Sequence, residues 1–249
     1  MSEFQFYFGL DLGQVSDFSA AVVAEKQDKA PGVYYLRSAH RFDLRTPYTT
    51  IVEQVAHALG QPPLTGKTAL LVDATGVGKA VVDLFKAVQL PAPLYEVTIT
   101  AGEHVSREKD AFHVPKRDLA AAVQVAFEQE LIKIAWGLTF GEILKQELKN
   151  FRVKINVKTS HDSYEAWREG EHDDLVLATA LALWGGGQRL KRRKVFEGET
   201  PVPLAEPRSR KERKPIYEDI EIVHGGVDFD RRVQEGWSFD DIRYGRRRW

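Results

Sequence analysis

Aspartates recur at the ends of apolar segments in this chain. Asp11 interrupts Phe8-Gly-Leu-Asp-Leu-Gly13, and Asp73 closes Leu70-Leu-Val-Asp73. Asp173 and Asp174 open the apolar run Leu175-Val-Leu-Ala-Thr-Ala-Leu-Ala-Leu-Trp184, and Asp17 follows the first of these segments. Carboxylates brought to close range repel one another. A hard divalent cation such as Mg²⁺ or Mn²⁺, which prefers oxygen ligands, relieves that repulsion. Two such ions about 3.5–4 Å apart activate a water and stabilise the leaving oxygen in phosphodiester hydrolysis. Taken singly, each aspartate has a plainer explanation. A strand-end aspartate bonds its own backbone in a turn, and Asp173 or Asp174 caps a helix and complements its dipole. Asp11 is the hardest to explain so, because aspartate is depleted in strands and this one sits among large apolar residues. As a set they favour a metal site.

Those acids act together only if the elements carrying them converge. Residues 4–12, 19–25 and 32–40 read as strands. Their connections are too short for parallel crossovers, so they form an antiparallel meander. Ile51, Val55 and Leu59 then recur four apart, the stripe of an amphipathic helix over 48–59. A buried-type strand follows at 68–73, a helix at 79–88 and a strand at 94–100. Residues 101–114 are polar and read as a loop, with helices over 115–129 and 139–150, Pro115 suiting a first turn. A strand is expected near 152–158, and a last helix from 173 to 184, stopped by Gly185-Gly186-Gly187. Right-handed crossovers make the later strands parallel. The expected α/β fold is a mixed sheet, three antiparallel strands then parallel ones, with helices on both faces. In it the first and fourth strands are neighbours, which brings Asp11 and Asp73 towards the start of the final helix.

A chain of 249 residues buries a full core. Its lack of cysteine excludes a disulfide scaffold, a thiolate metal site and a cysteine nucleophile. No apolar run approaches the ~20 residues that span a bilayer, and the first residues lack a signal-peptide pattern, so a soluble cytoplasmic protein without membrane contact is expected. The net charge of −1 hides an asymmetry: residues 185–249 hold 16 Lys and Arg against 12 Asp and Glu, leaving 19 against 24 in residues 1–184. The division expected is a domain over 1–184 and a basic, proline-containing, partly extended tail over 185–249, with Pro201, Pro203, Pro207 and Pro215 in a linker. Arg189, Lys191, Arg192, Arg193 and Lys194 are candidates for contact with a DNA backbone, against the plain alternative of a solvated tail.

Four blocks carry a resemblance. They are Phe8-Gly-Leu-Asp-Leu-Gly-Gln-Val-Ser-Asp-Phe-Ser-Ala20, Leu71-Val-Asp-Ala-Thr-Gly-Val-Gly-Lys-Ala-Val-Val-Asp83, Phe112-His-Val-Pro-Lys-Arg-Asp-Leu119 continuing to Glu147-Leu-Lys-Asn-Phe151, and His172-Asp-Asp-Leu-Val-Leu-Ala-Thr-Ala-Leu-Ala182. In this order they resemble the nuclease domain of phage terminase large subunits, in the RNase H-like (RuvC-like) superfamily. The resemblance implies an RNase H-like sheet and a Mg²⁺- or Mn²⁺-dependent DNA endonuclease using two ions, the enzyme that cuts concatemeric phage DNA during packaging. It implies that Asp11 touches both ions, that Asp73 is a second ligand, and that Asp174, with or without Asp173, is the third. Asp17 matches a further acidic position. His172 and Lys116 are auxiliary candidates for proton transfer or phosphate contact, though such residues are more often structural or solvated. Helical spacing leaves the choice between Asp173 and Asp174 open. Asp174 shares a stripe with Ala178, Leu181 and Ala182, and Asp173 shares one with Leu177, Ala180 and Trp184.

Full-length terminase large subunits also carry an ATPase motor, and this chain has no match to it. Gly60-Gln-Pro-Pro-Leu-Thr-Gly66-Lys67-Thr68 has one residue too many between its glycines for a phosphate loop and precedes a strand instead of following one. ATP hydrolysis is therefore not expected. The partners implied are double-stranded DNA and a separate packaging ATPase, small terminase or portal, in a phage-infected or lysogenic bacterial cytoplasm. Two alternatives share the features above: a RuvC-like junction resolvase or other RNase H-fold nuclease, and a non-catalytic DNA-binding or packaging adaptor.

Overall fold

Alternating side chains build a sheet that is buried on both faces. The computed structural model describes residues 4–14, 16–27, 32–135, 137–157 and 173–191. Strands β1 (Phe6–Asp11), β2 (Ala20–Gln27) and β3 (Val33–Arg41) form the antiparallel meander. Helix α1 (Tyr48–Gly60) then crosses over to β4 (Thr68–Asp73), which pairs parallel to β1. Helix α2 (Gly78–Ala87) leads to β5 (Leu94–Thr100), parallel to β4. Short strands β6 (Ser106–Glu108) and β7 (Ala111–Pro115) come next, then α3 (Lys116–Glu128), β8 (Ile132–Ile134), α4 (Gly141–Val157) and α5 (Asp174–Gly187). The strand order is β6-β7-β5-β4-β1-β2-β3-β8. This is the mixed sheet expected above, an antiparallel meander joined to parallel strands, with helices on both faces.

Two cores cover the two faces. Phe6, Phe8 and Leu10 of β1 and Leu70 and Val72 of β4 pack against Ile51, Val55 and Leu59 of α1 and Val82 and Phe85 of α2. Tyr7, Val22 and Leu71 on the other face pack under Leu119 and Val123 of α3, Leu144 and Leu148 of α4, and the length of α5. Helix α5 is buried from Asp174 to Gly186 on every side, because it lies between the sheet and its neighbours α3 and α4. A helix apolar all round has no solvent face to offer. Among the described residues, no helix is long and apolar enough to cross a membrane.

Several expected elements differ. The segment 101–114 is not all loop, since it holds β6 and β7. The residues of β6 are exposed, and backbone pairing to β7, not side-chain burial, makes it a strand. Strand β8 is three half-buried residues paired to β3, too short to show a period. The strand expected near 152–158 is instead the end of α4, which runs to Val157. Extending an existing helix adds a hydrogen bond for each residue fixed, and this outweighs the alternating β-branched pattern. Helix α5 also continues through Gly185-Gly186-Gly187, with Gln188 as its C-cap, and Leu190 beyond it is buried in the α5 core.

Candidate active site

Asp11 ends β1 and Asp73 ends β4. Leu10 stands opposite Val72 in this parallel pair, so the two aspartates fall next to each other one step further on. Neighbouring strands lie about 4.8 Å apart. Asp73 is also opposite Val97, Asp11 opposite Ala20, and Ala20 opposite Arg41, which makes one row across the sheet. Ala20 and Val97 belong to the core beneath α5. Side chains in one row share a face, so both carboxylates leave the sheet on the α5 side. They are 6% and 2% exposed. Asp73 Oδ1 accepts a hydrogen bond of 2.8 Å from the Thr75 N–H, and Thr75 Oγ1 accepts one of 2.9 Å from the Ile99 N–H. The turn-forming reading of Asp73 is thus correct as far as it goes. It also holds the carboxylate in one orientation.

The third acid arrives on α5. Gly9, two residues before Asp11, lies directly under the helix: a Cβ there would overlap the Ala178 carbonyl oxygen and stand 3.0 Å from the Ala182 nitrogen. The missing side chain lets α5 rest on β1. Asp174 is one helical turn before Ala178, about 6 Å back along the axis. Asp11 is two strand residues beyond Gly9, about 6.7 Å in the same direction. Asp174 therefore comes over the Asp11 end of β1, on the stripe that faces the strand. Asp173 is the N-cap of α5, and its side chain makes no capping hydrogen bond. Both are buried.

Sequence reasoning gave no role to Glu147 or Arg41, which complete this cluster. Glu147 on α4 is buried, and its Oε2 accepts hydrogen bonds from the N–H groups of Leu175 (3.1 Å) and Val176 (3.3 Å) at the start of α5. Its Oε1 is hydrogen-bonded and ion-paired with Arg41 Nη2, which lies 3.7 Å from Asp174 Oδ2. The Arg41 guanidinium also stacks over the Phe18 ring, 4.8 Å from its centroid. Burial pushes the Glu147 carboxyl from its ordinary 4.5 up to about 7; the Arg41 charge opposes the rise, and Asp174 and Asp173 add to it. The only signal of Glu147 in the sequence is its place in the third block, four residues before Phe151.

The loop from β1 to β2 is pinned near the row. The Gly13 N–H donates to Ser19 Oγ (3.1 Å), and Tyr48 Oη donates to the Gly13 carbonyl (2.8 Å). Asp17 lies on this loop with its side chain exposed. Lys116 is half-buried at the start of α3, after β7, two strands from β4 and so about 10 Å to the side of Asp73. Arg189 and Lys191 are exposed beyond the far end of α5, about 20 Å of helix from Asp174. That end is anchored: Lys26 Nζ donates to the Gly186 carbonyl and Tyr95 Oη to the Lys191 carbonyl, both at 2.7 Å. His172, Arg192, Arg193 and Lys194 lie outside the described residues.

The donor set is all hard carboxylate oxygen, which fits Mg²⁺ or Mn²⁺ and not a softer metal. Among the described residues, no three histidine, aspartate or glutamate side chains stand as close together as the ligands of one ion. What the fold supplies is the neighbouring backbone ends from which Asp11, Asp73 and Asp174 project. The arginine in the cluster is set against Glu147 and Asp174, while Asp11 and Asp73 occupy the adjoining strands.

No family model matches the chain, and no curated protein matches it. Among solved structures, it is similar to the large terminase nuclease from thermophilic phage G20c, at 18% identity over 73% of this chain and 84% of that one, with a TM-score of 0.47. It is also similar to the human cytomegalovirus terminase nuclease domain in a Mn-soaked crystal, at 15% identity over 72% and 82% of the two chains, with a TM-score of 0.43.

Proposed function

We propose that this chain is a divalent-metal-dependent DNA endonuclease of the terminase nuclease type, acting in phage DNA packaging. The observation that carries the reading is the adjacency of Asp11 and Asp73 at the ends of parallel neighbours β1 and β4, on the face that α5 covers with Asp174. Asp11, between Asp73 and the helix, would be the shared ligand. Asp73 and Asp174 would hold the outer positions, with Asp173 beside them. Bound there, Mg²⁺ or Mn²⁺ supplies an activated water and charge stabilisation of the leaving oxygen. The protein's own contribution is to hold the carboxylates at the ends of two central strands and on a buried helix, and to orient Asp73 through the Thr75 N–H. Binding should be indifferent to sequence, because basic side chains meet phosphates and not base edges. A small terminase, portal or packaging ATPase would be its partner.

Supercoiled-plasmid nicking in Mn²⁺ and in Mg²⁺ tests this. Activity should vanish in EDTA and in Asp11→Asn, which preserves side-chain volume and removes the charge. Full cleavage by that variant or in chelator defeats the assignment. A second reading is a DNA-binding adaptor without catalysis. It draws on the approach of Arg41 to Asp174, which supplies part of the counter-charge an ion would otherwise bring. DNA binding with no cleavage in any divalent ion would favour it. Preferential cutting of four-way junctions would point to a resolvase.

A further inference from the structure

We propose that Arg41 and Glu147 are a positioning pair that presents Asp173 and Asp174 to the metal site. The proposal rests on the nuclease reading above and adds residues to it. Aspartate is among the best N-cap residues, because its side chain accepts the N–H of the second or third helical residue. Asp173 is the N-cap of α5, yet its side chain makes no such bond. Glu147, from a different helix, accepts the Leu175 and Val176 N–H groups in its place. The capping task is thus delegated to α4, and Asp173 is relieved of it.

Arg41 explains the placement. It closes the row that contains Asp73 and Asp11, and its guanidinium grips Glu147 Oε1 while resting on Phe18 of the β1–β2 loop. One contact point therefore ties β3, α4, the start of α5 and the loop above Asp11. At 3.7 Å from Asp174 Oδ2, Arg41 sits at ion-pair range without a close hydrogen bond, so it steers that carboxylate. A buried ion pair is weak as a stabilising device, since desolvation offsets its attraction. Its value here lies in geometry. Outer partners of metal ligands typically alter metal affinity by about 10–100-fold when removed.

Mn²⁺ binding to the full chain, followed by electron paramagnetic resonance, reads this directly. Cleavage against Mn²⁺ concentration at saturating DNA, and thermal melting, accompany it. In Glu147→Ala and Arg41→Gln, Mn²⁺ affinity should fall about tenfold or more, the lost positioning of Asp174 outweighing the removal of the Arg41 charge beside it. Maximal turnover should return to within a few-fold of wild type at high Mn²⁺. Arg41→Lys keeps the charge and should recover much of the affinity. Variants that melt earlier but bind Mn²⁺ as tightly as wild type would overturn the positioning role and leave the nuclease reading standing. If Glu147→Ala does not fold, the two Arg41 variants decide the matter by the same criterion. A wild-type protein that neither binds Mn²⁺ nor cuts DNA overturns the nuclease reading, and the pair's role with it.

Discussion

Replacing Gly9 with alanine tests the geometry at its tightest point. A Cβ at this position would stand 2.0 Å from the Ala178 carbonyl oxygen and 3.0 Å from the Ala182 nitrogen, both backbone atoms of a buried helix. Ordinary contact between such atoms is about 3.5 Å, so α5 must withdraw from β1 by roughly 1 Å or more. Overpacking of this kind costs about 1–3 kcal/mol. In a chain of this size that lowers the melting temperature by about 5 °C. The functional effect should be larger than the stability effect. Asp174 moves with α5, and on the proposed reading, in which it holds a metal, a displacement of about 1 Å removes about 10²-fold of rate. Gly9→Ala should therefore remain folded at 25 °C, melt several degrees early, and nick plasmid about 100-fold more slowly in saturating Mn²⁺. Gly187→Ala is the control. It lies on the same helix, and a Cβ there meets nothing within 4 Å. It should leave cleavage intact and add about 0.5 kcal/mol of stability, as replacing a helical glycine does. If Gly9→Ala cuts and melts like wild type, α5 does not bear on β1 as described, and Asp174 loses its place over Asp11.

Other outcomes follow from the electrostatics. Glu147 titrates higher in the folded chain than in the unfolded one, at about 7 against 4.5, so the folded state holds its proton more tightly. Its contribution to stability is full below pH 4.5 and is lost as pH rises towards 7; the shift corresponds to about 3 kcal/mol. Denaturant melts in EDTA should show this slope in wild type and not in Glu147→Gln, and equal slopes would refute it. Glu96 behaves oppositely. Its burial pushes the carboxyl up, but hydrogen bonds and charge from Lys79 and Lys86 more than offset this and hold it below 4.5. The stability it adds is present above pH 4.5 and lost on acidification, so Glu96→Gln should flatten the acid limb of the stability profile. Arg189→Ala with Lys191→Ala, about 20 Å from Asp174 along α5, should weaken DNA binding and reduce its salt dependence by about one phosphate contact per residue. Turnover at saturating DNA should stay unchanged; a loss of turnover would place these residues nearer the chemistry than α5 permits.

Much of this protein is written locally. Asp11 among phenylalanines and leucines, the four-residue stripe of Ile51, Val55 and Leu59, and the unbroken apolar run after Asp174 each follow from side-chain chemistry over a few residues. Short connections between the first strands excluded parallel pairing, and the mixed sheet expected from the strand–helix–strand order set β1 beside β4. The adjacency of Asp11 and Asp73 was legible for that reason. Strands β6 and β8 were not, because their pairing partners and not their own side chains make them strands. Nor was the end of α4, where helix extension overrides a β-branched alternation. The pairing of Glu147 with Arg41 spans 106 residues, and no spacing rule relates positions so far apart. Choosing Asp174 over Asp173 as the residue facing β1 required knowing which stripe of α5 rests on the sheet, and Gly9 decides that by lacking a side chain. Sequence determined which residues could do chemistry and which elements carry them. Packing of a buried helix against one bare strand position decided which ends of those elements come together.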